Sequence, residues 1–163
     1  MHIKQVNAKL DHMRSLLLYL QKKCLPADEP YDTDFGWWWI IYEKDKPVGF
    51  AGLVRSSQWI DTGYLCRSGV LPAYRGLGLQ KRLIGVRIKK ARSLGYNWLI
   101  SDTNENPPSS NSLINQGFKL YEPSNPYGNS QTLYWRKDLN AVQRPRRTQA
   151  KSSTVLKGTL RKK

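Results

Sequence analysis

The chain has 163 residues, enough for one ordinary domain around a single core, and hydrophobic residues make up 39% of it. No run of about 18 apolar residues is present, so no membrane-spanning helix is expected. The net charge is +15, and it is unevenly spread. Residues 1–143 carry 19 basic and 12 acidic side chains; Arg144, Arg146, Arg147, Lys151, Lys157, Arg161, Lys162 and Lys163 then follow without an acid. This balance predicts attraction to polyanions: nucleic acid through residues 144–163, an acidic protein, or a phosphorylated cofactor.

The segment "MHIKQVNAKLDHM" lacks the apolar stretch of a signal peptide, so a cytoplasmic protein with no membrane partner is expected. Within it "HIKQV" predicts a short first strand. Leu10, Met13, Leu17, Leu20 and Cys24 then recur at spacings of three and four, which predicts a helix over 7–24 with Asn7 as its N-cap and Pro26 as its stop. Residues 26–36, "PADEPYDTDFG", read as a loop or broken helix. "WWWIIYE" (37–43) and "KPVGFAGLVRS" (46–56) predict two strands, and "GYLCRSGV" (63–70) a third. Trp37, Trp38 and Trp39 alternate faces, so at least one side packs the core while the other is free to wall a site.

A helix is predicted over 79–94 from the stripe Leu79, Leu83, Val86 and Ile84, Ile88, Ala91, with Gly95 as its C′ residue. Arg87, Lys89, Lys90 and Arg92 are placed on its solvated face. "NWLISDT" (97–103) predicts a strand, and "NPPSSNSLINQGF" (106–118) a loop with a short helix from about Ser109. "FKLYE" and "TLYWRKDL" close the domain as a strand pair. The expectation is a mixed α/β domain over 1–139 and a basic, structureless tail over 140–163. Cys24 and Cys66 fit no metal spacing and read as buried thiols; with only His2 and His12 besides, no metal is expected.

"VLPAYRGLGLQ" (70–80) carries the chemistry. It places Gly76 and Gly78 between a strand and a helix. The first N–H groups of a helix are unpaired, the peptide dipoles add partial positive charge, and glycines let a phosphate approach. Lys81 and Arg82 add charge behind it. The Walker and dinucleotide patterns both fail here, for want of a Gly-Lys-Ser/Thr ending and of a third spaced glycine.

Val70, Pro72, Arg75, Gly76, Gly78 and Leu79 resemble the acetyl-CoA motif of the GNAT superfamily of N-acetyltransferases, V-x-P-x-x-R-G-x-G-I/L. Asn106, Ser109 and Gly117-Phe118 resemble its second motif at the family's distance. The resemblance spans about residues 1–139. It implies a mostly antiparallel sheet flanked by helices, with a splayed strand pair between 63–70 and 97–103 holding the cofactor. It implies backbone contacts to the pantetheine arm from Ser68 and Val70. Diphosphate contacts would come from Arg75, Gly76, Leu77, Gly78, Leu79 and Gln80, and Asn106 would lie beside the arm. It further implies direct attack by a primary amine on acetyl-CoA, and pairing of two copies through the last strands.

Two positions depart from the family pattern. Gln80 stands where Gly or Ala is preferred. Leu113 stands where many members place a tyrosine that protonates the leaving thiolate. For the general base, counting back from Arg75 brings the family's glutamate position near Tyr64. Asp102 is the other candidate, since it shares a strand face with Trp98 and Ile100, where a buried carboxylate is suited to taking a proton. Asp28, Glu29, Asp32 and Asp34 fall where the family's acceptor loop lies and are expected to attract a cationic amine. A binding protein of nucleic acid, using the basic tail and only a vestigial cofactor pocket, is the alternative.

Overall fold

A computed structural model describes residues 1–141; the basic stretch from Arg144 on, and the polyanion binding expected of it, lie outside the described residues. Strands β1 (His2–Val6), β2 (Trp37–Glu43) and β3 (Lys46–Arg55) pair antiparallel in that order. Next come β4 (Thr62–Tyr64) and β5 (Ser68–Val70), the helix α2 (Leu79–Ser93), β6 (Trp98–Asn104), α3 (Pro107–Asn115), β7 (Lys119–Leu120) and β8 (Thr132–Asp138). The helix α1 (Asp11–Cys24) follows β1. The sheet runs β1-β2-β3-β4-β6-β8-β7, and only β4 with β6 is parallel.

Helices cover both faces. Leu17, Leu20 and Cys24 of α1 pack with Trp38, Ile40 and Phe50 on one face. Leu79, Leu83, Ile84, Ile88 and Ala91 of α2, with Leu113 of α3, pack with Trp39, Ile41 and Leu53 on the other. The tryptophan run is thus consumed by two cores: Trp38 and Trp39 are buried on opposite faces and Trp37 lies half-buried under Lys90 Nζ. Burying an indole is worth about 2–3 kcal/mol of apolar transfer, which makes β2 the axis of the fold rather than the wall of a site.

The predicted helix at 7–24 starts later, at Asp11. Asn7 does not cap it: its Oδ1 accepts from Lys9 N at 3.1 Å, a turn that precedes the helix. No helix forms over 26–36, so no second helix extends the α1 layer toward β6 and β8.

The predicted strand 63–70 is two strands. β4 pairs β3 at Val54↔Tyr64 and then leaves it, while β5 rejoins β3 at Ala51↔Ser68. Leu65, Cys66 and Arg67 bulge out between them, opposite Gly52. A Cβ on Gly52 would stand 2.6 Å from the Trp38 ring and 2.7 Å from Cys66 Sγ, so only glycine fits beneath the bulge. Both thiols are free, and burial pushes the Cys24 and Cys66 pKa values up to about 11, which keeps them protonated at neutral pH.

Candidate active site

The bulge opens the sheet. β4 runs beside β6 through Tyr64↔Ile100, and Leu65 N donates to Ile100 O at 2.9 Å. Past that bond β5 stays with β3, while Ser101–Asn104 stay with β8. A gap of about 610 Å³ results, lined by residues of the bulge, β5, β6, α2 and α3.

The peptide groups along β5 face this gap in a fixed pattern. Gly52 N donates to Arg67 O and Leu71 N donates to Val48 O, which sets the hydrogen-bonded pairs of the β3–β5 ladder at Arg67, Gly69 and Leu71. In an antiparallel ladder alternate residues turn their N–H and C=O away. Ser68 therefore presents both its N–H and its C=O to the gap, ready to pair an extended chain, while Val70 turns the same way with its C=O already taken by Arg75 Nε at 3.2 Å. The Ser68 hydroxyl donates to Gln80 Oε1 at 3.0 Å, which folds the large side chain at position 80 against β5.

At the mouth of the gap stands the glycine turn. Gly76 has φ +78 and Gly78 has φ +71, a region open to glycine, and a Cβ on either would meet nothing within 4 Å. The first helical bond of α2 is Arg82 N to Gly78 O at 3.3 Å. The N–H groups from Gly76 to Lys81 find no acceptor among the described residues. They form an open cradle at a helix N-terminus, suited to a diphosphate. Arg75 stands outside it. Its N–H is taken by Pro72 O at 3.2 Å, and its side chain folds back to Val70 O (3.2 Å) and Cys24 O (3.4 Å). The cradle expected from 75 onward thus begins at Gly76, and Arg75 braces it.

On the far face of β6 lies one carboxylate, Asp102, held by two tyrosines. Tyr64 donates to Asp102 Oδ1 at 2.6 Å, and Tyr127, from the loop before β8, donates to the same oxygen at 3.1 Å. Asp102 is half-buried rather than buried. The Tyr64 phenol is held well above its ordinary pKa, first by burial and then by the charge of Asp102. The phenol donates its proton to Asp102, so of the two base candidates Asp102 is the one that offers a lone pair here. Tyr127 was not foreseen; it is a lone aromatic in "SNPYGNS", and nothing local signals its reach across to β6.

The raised phenol makes a prediction. Its folded pKa exceeds the unfolded value of 10.0, so its contribution to stability is whole below about pH 10 and is lost as pH rises beyond it. Tyr64→Phe is expected to flatten the fall of stability above that pH in urea unfolding at stepped pH. An unaltered slope excludes a buried protonated phenol at this position.

The family model described as the acetyltransferase (GNAT) family matches residues 11–118. The chain belongs to the GNAT acetyltransferases. No curated protein matches it in sequence. Among solved structures, the ribosomal-protein-S18-alanine N-acetyltransferase from Escherichia coli is similar with a TM-score of 0.68 at 14% identity, covering 86% of this chain and 95% of that one. An acetyltransferase from Bacillus subtilis in complex with CoA gives 0.61 at 19% identity, over 83% and 97%. The ribosomal-protein-alanine N-acetyltransferase from Brucella melitensis gives 0.63 at 16%, over 85% and 99%. At these identities the likeness is one of fold.

Within the GNAT fold the remaining sequence candidates separate. Asn106 lines the gap, and its Oδ1 caps α3 by accepting from Ser109 N at 3.1 Å, so its NH₂ is the donor left over. Leu113 is buried and contributes an apolar wall of the gap, with no proton to give. The acidic loop does not act as one cluster. Asp28 reaches the gap, where it pairs with Arg67 at 2.8 Å, and Arg67 also donates to Glu29 O at 3.2 Å. Asp32 Oδ1 accepts from Asp34 N, and Asp34 pairs with Arg14 at 2.8 Å, away from the gap. Arg87, expected on the solvated face of α2 with Lys89, Lys90 and Arg92, is buried and lines the gap instead. Among the described residues no group of His, Cys, Asp and Glu could hold a metal, and no helix is long and apolar enough to cross a membrane.

Proposed function

We propose that the protein is a cytoplasmic N-acetyltransferase that moves an acetyl group from acetyl-CoA directly to a primary amine, without an acyl-enzyme. The observation that carries this is the open run of N–H groups at Gly76–Lys81 set at the mouth of a gap in the sheet. Acetyl-CoA supplies an activated thioester; the chain supplies binding, orientation and proton handling. The cradle takes the diphosphate. The free peptide groups of Ser68 and the N–H of Val70 align the pantetheine arm as an added strand, and the Asn106 amide supports it from α3. Asp102 draws in the ammonium and receives its proton, with Tyr64 and Tyr127 fixing the carboxylate. With leucine at 113, the thiolate leaves without help from that position, as a thiol pKa near 8.5 permits.

The test adds labelled acetyl-CoA and the purified protein to an extract of the source cells, followed by separation of protein, nucleic acid and small molecules. Label above a Gly78→Glu control in one fraction supports transfer and names the acceptor class. Tight cofactor binding without label in any fraction counts against the enzyme. A finer prediction concerns the acidic loop. Asp28→Asn is expected to raise the acceptor KM several-fold, because it also leaves Arg67 uncompensated at the gap. Asp34→Asn is expected to leave KM unchanged. Steady-state kinetics on the two variants separate these outcomes.

A further inference from the structure

Among the described residues Arg87 is the only buried charged side chain, 2% exposed. Its Nε donates to Leu83 O at 3.0 Å and its Nη1 to Gly52 O at 3.3 Å. Both acceptors are neutral carbonyls. The ion pairs among the described residues involve Arg14 and Arg67, and none reaches Arg87. Its other Nη has no partner among them, and the residue lines the gap. Desolvation lowers its pKa to about 10, which still leaves a cation at neutral pH.

A buried cation with no counter-charge is costly, and two carbonyls do not neutralise it. A glutamine would serve Gly52 O without that cost. Arg67 lines the same gap; Asp28 balances its charge, but its Nε is buried with no partner and is a donor left over. Two acids line the gap. Asp28 is paired with Arg67. Asp102 belongs to the other face, since Leu99 and Thr103 of β6 face α2 and α3 and Asp102 alternates with them. On the α2 side of the gap no carboxylate among the described residues pairs with Arg87.

We infer that Arg87 receives a carboxylate that enters the gap as part of the substrate. The inference rests on the acyltransferase reading above and deepens it by naming the substrate class. The carboxylate has two sources: the far end of a dicarboxylic acyl chain on the donor, or the amine acceptor. Arg87 lies on the helix that forms the cradle and on the face opposite Asp102, which favours the donor.

The test is calorimetric binding to the full chain, with two arms. In the first, succinyl-CoA, acetyl-CoA and CoA are titrated. Succinyl-CoA is expected to bind about tenfold or more tighter than acetyl-CoA, the difference one buried charge-assisted contact makes. Arg87→Gln is expected to erase that preference, and Arg87→Lys to keep part of it. In the second arm the CoA-saturated protein is titrated with β-alanine and with its amide; a preference for the acid places the carboxylate on the acceptor. If Arg87→Gln does not fold, the wild-type preferences alone decide. No preference in either arm overturns the inference. Equal weakening of all three CoA forms in Arg87→Gln also overturns it, since Arg87 then serves the shared arm. Absence of affinity for every CoA form overturns the acyltransferase reading, and this inference with it.

Discussion

Gly78→Glu is expected to weaken acyl-CoA binding by more than about 100-fold, roughly 2.7 kcal/mol. Two effects add. Gly78 sits at φ +71, where an L residue is strained by about 1 kcal/mol or more. The space beyond its Cα is open, so the fold itself tolerates the bulk. That open space is where the proposed diphosphate would meet the N–H groups of Gly76–Lys81, and a carboxylate there would fill it and repel the ligand. Gly85 is the matched control. It lies on the same helix, its Cβ would also meet nothing within 4 Å, and it has no positive φ. Gly85→Ala is expected to bind acyl-CoA normally and to gain about 0.5–1 kcal/mol of stability from helix propensity. Calorimetric titration with thermal melts compares the two. Normal affinity in Gly78→Glu would refute the cradle.

Much of this arrangement was legible because local rules and global fold agree in it. The strand–turn–helix around "RGLGL" needs positive φ at two places, and glycine stands at both. The short helix expected from about Ser109 is present, starting at Pro107 with Asn106 as its cap, a role not foreseen for Asn106. The failures share a cause: the deciding partner is far away in sequence. "GYLCRSGV" offers no internal breaker, and it splits because Gly52, on another strand, lets the bulge sink toward Trp38. Tyr64 and Asp102 meet only through the parallel register Tyr64↔Ile100, which no local pattern encodes. Arg87 is a conflict within the sequence itself. Its spacing from Leu83 and Ile84 puts it on the apolar stripe, while its charge argues for the surface. The spacing prevails, because Gly52 O and Leu83 O can take its N–H groups inside.

Asp102→Asn is expected to lower turnover about 10²–10³-fold while leaving acyl-CoA affinity nearly unchanged, the range seen when a positioned base is removed. The substitution is close to isosteric. The carbonyl oxygen of asparagine can still accept from Tyr64 and Tyr127, the two contacts now at 2.6 and 3.1 Å. What disappears is the charge and the second basic oxygen, Oδ2, which no described side chain occupies. The cradle lies on α2 and the carboxylate on β6, so cofactor affinity and acceptor chemistry separate in space. Tyr64→Phe removes one of the two donors that aim the carboxylate and leaves its charge; a loss of about tenfold or less is expected. The order of the two effects is the decisive observation. A larger loss from Tyr64→Phe than from Asp102→Asn would make the phenol the group that meets the amine. The ordering expected here rests on the proposed role of Asp102: a phenol buried and hydrogen-bonded to a carboxylate keeps its own proton, which leaves the carboxylate as the group to take the one from the ammonium.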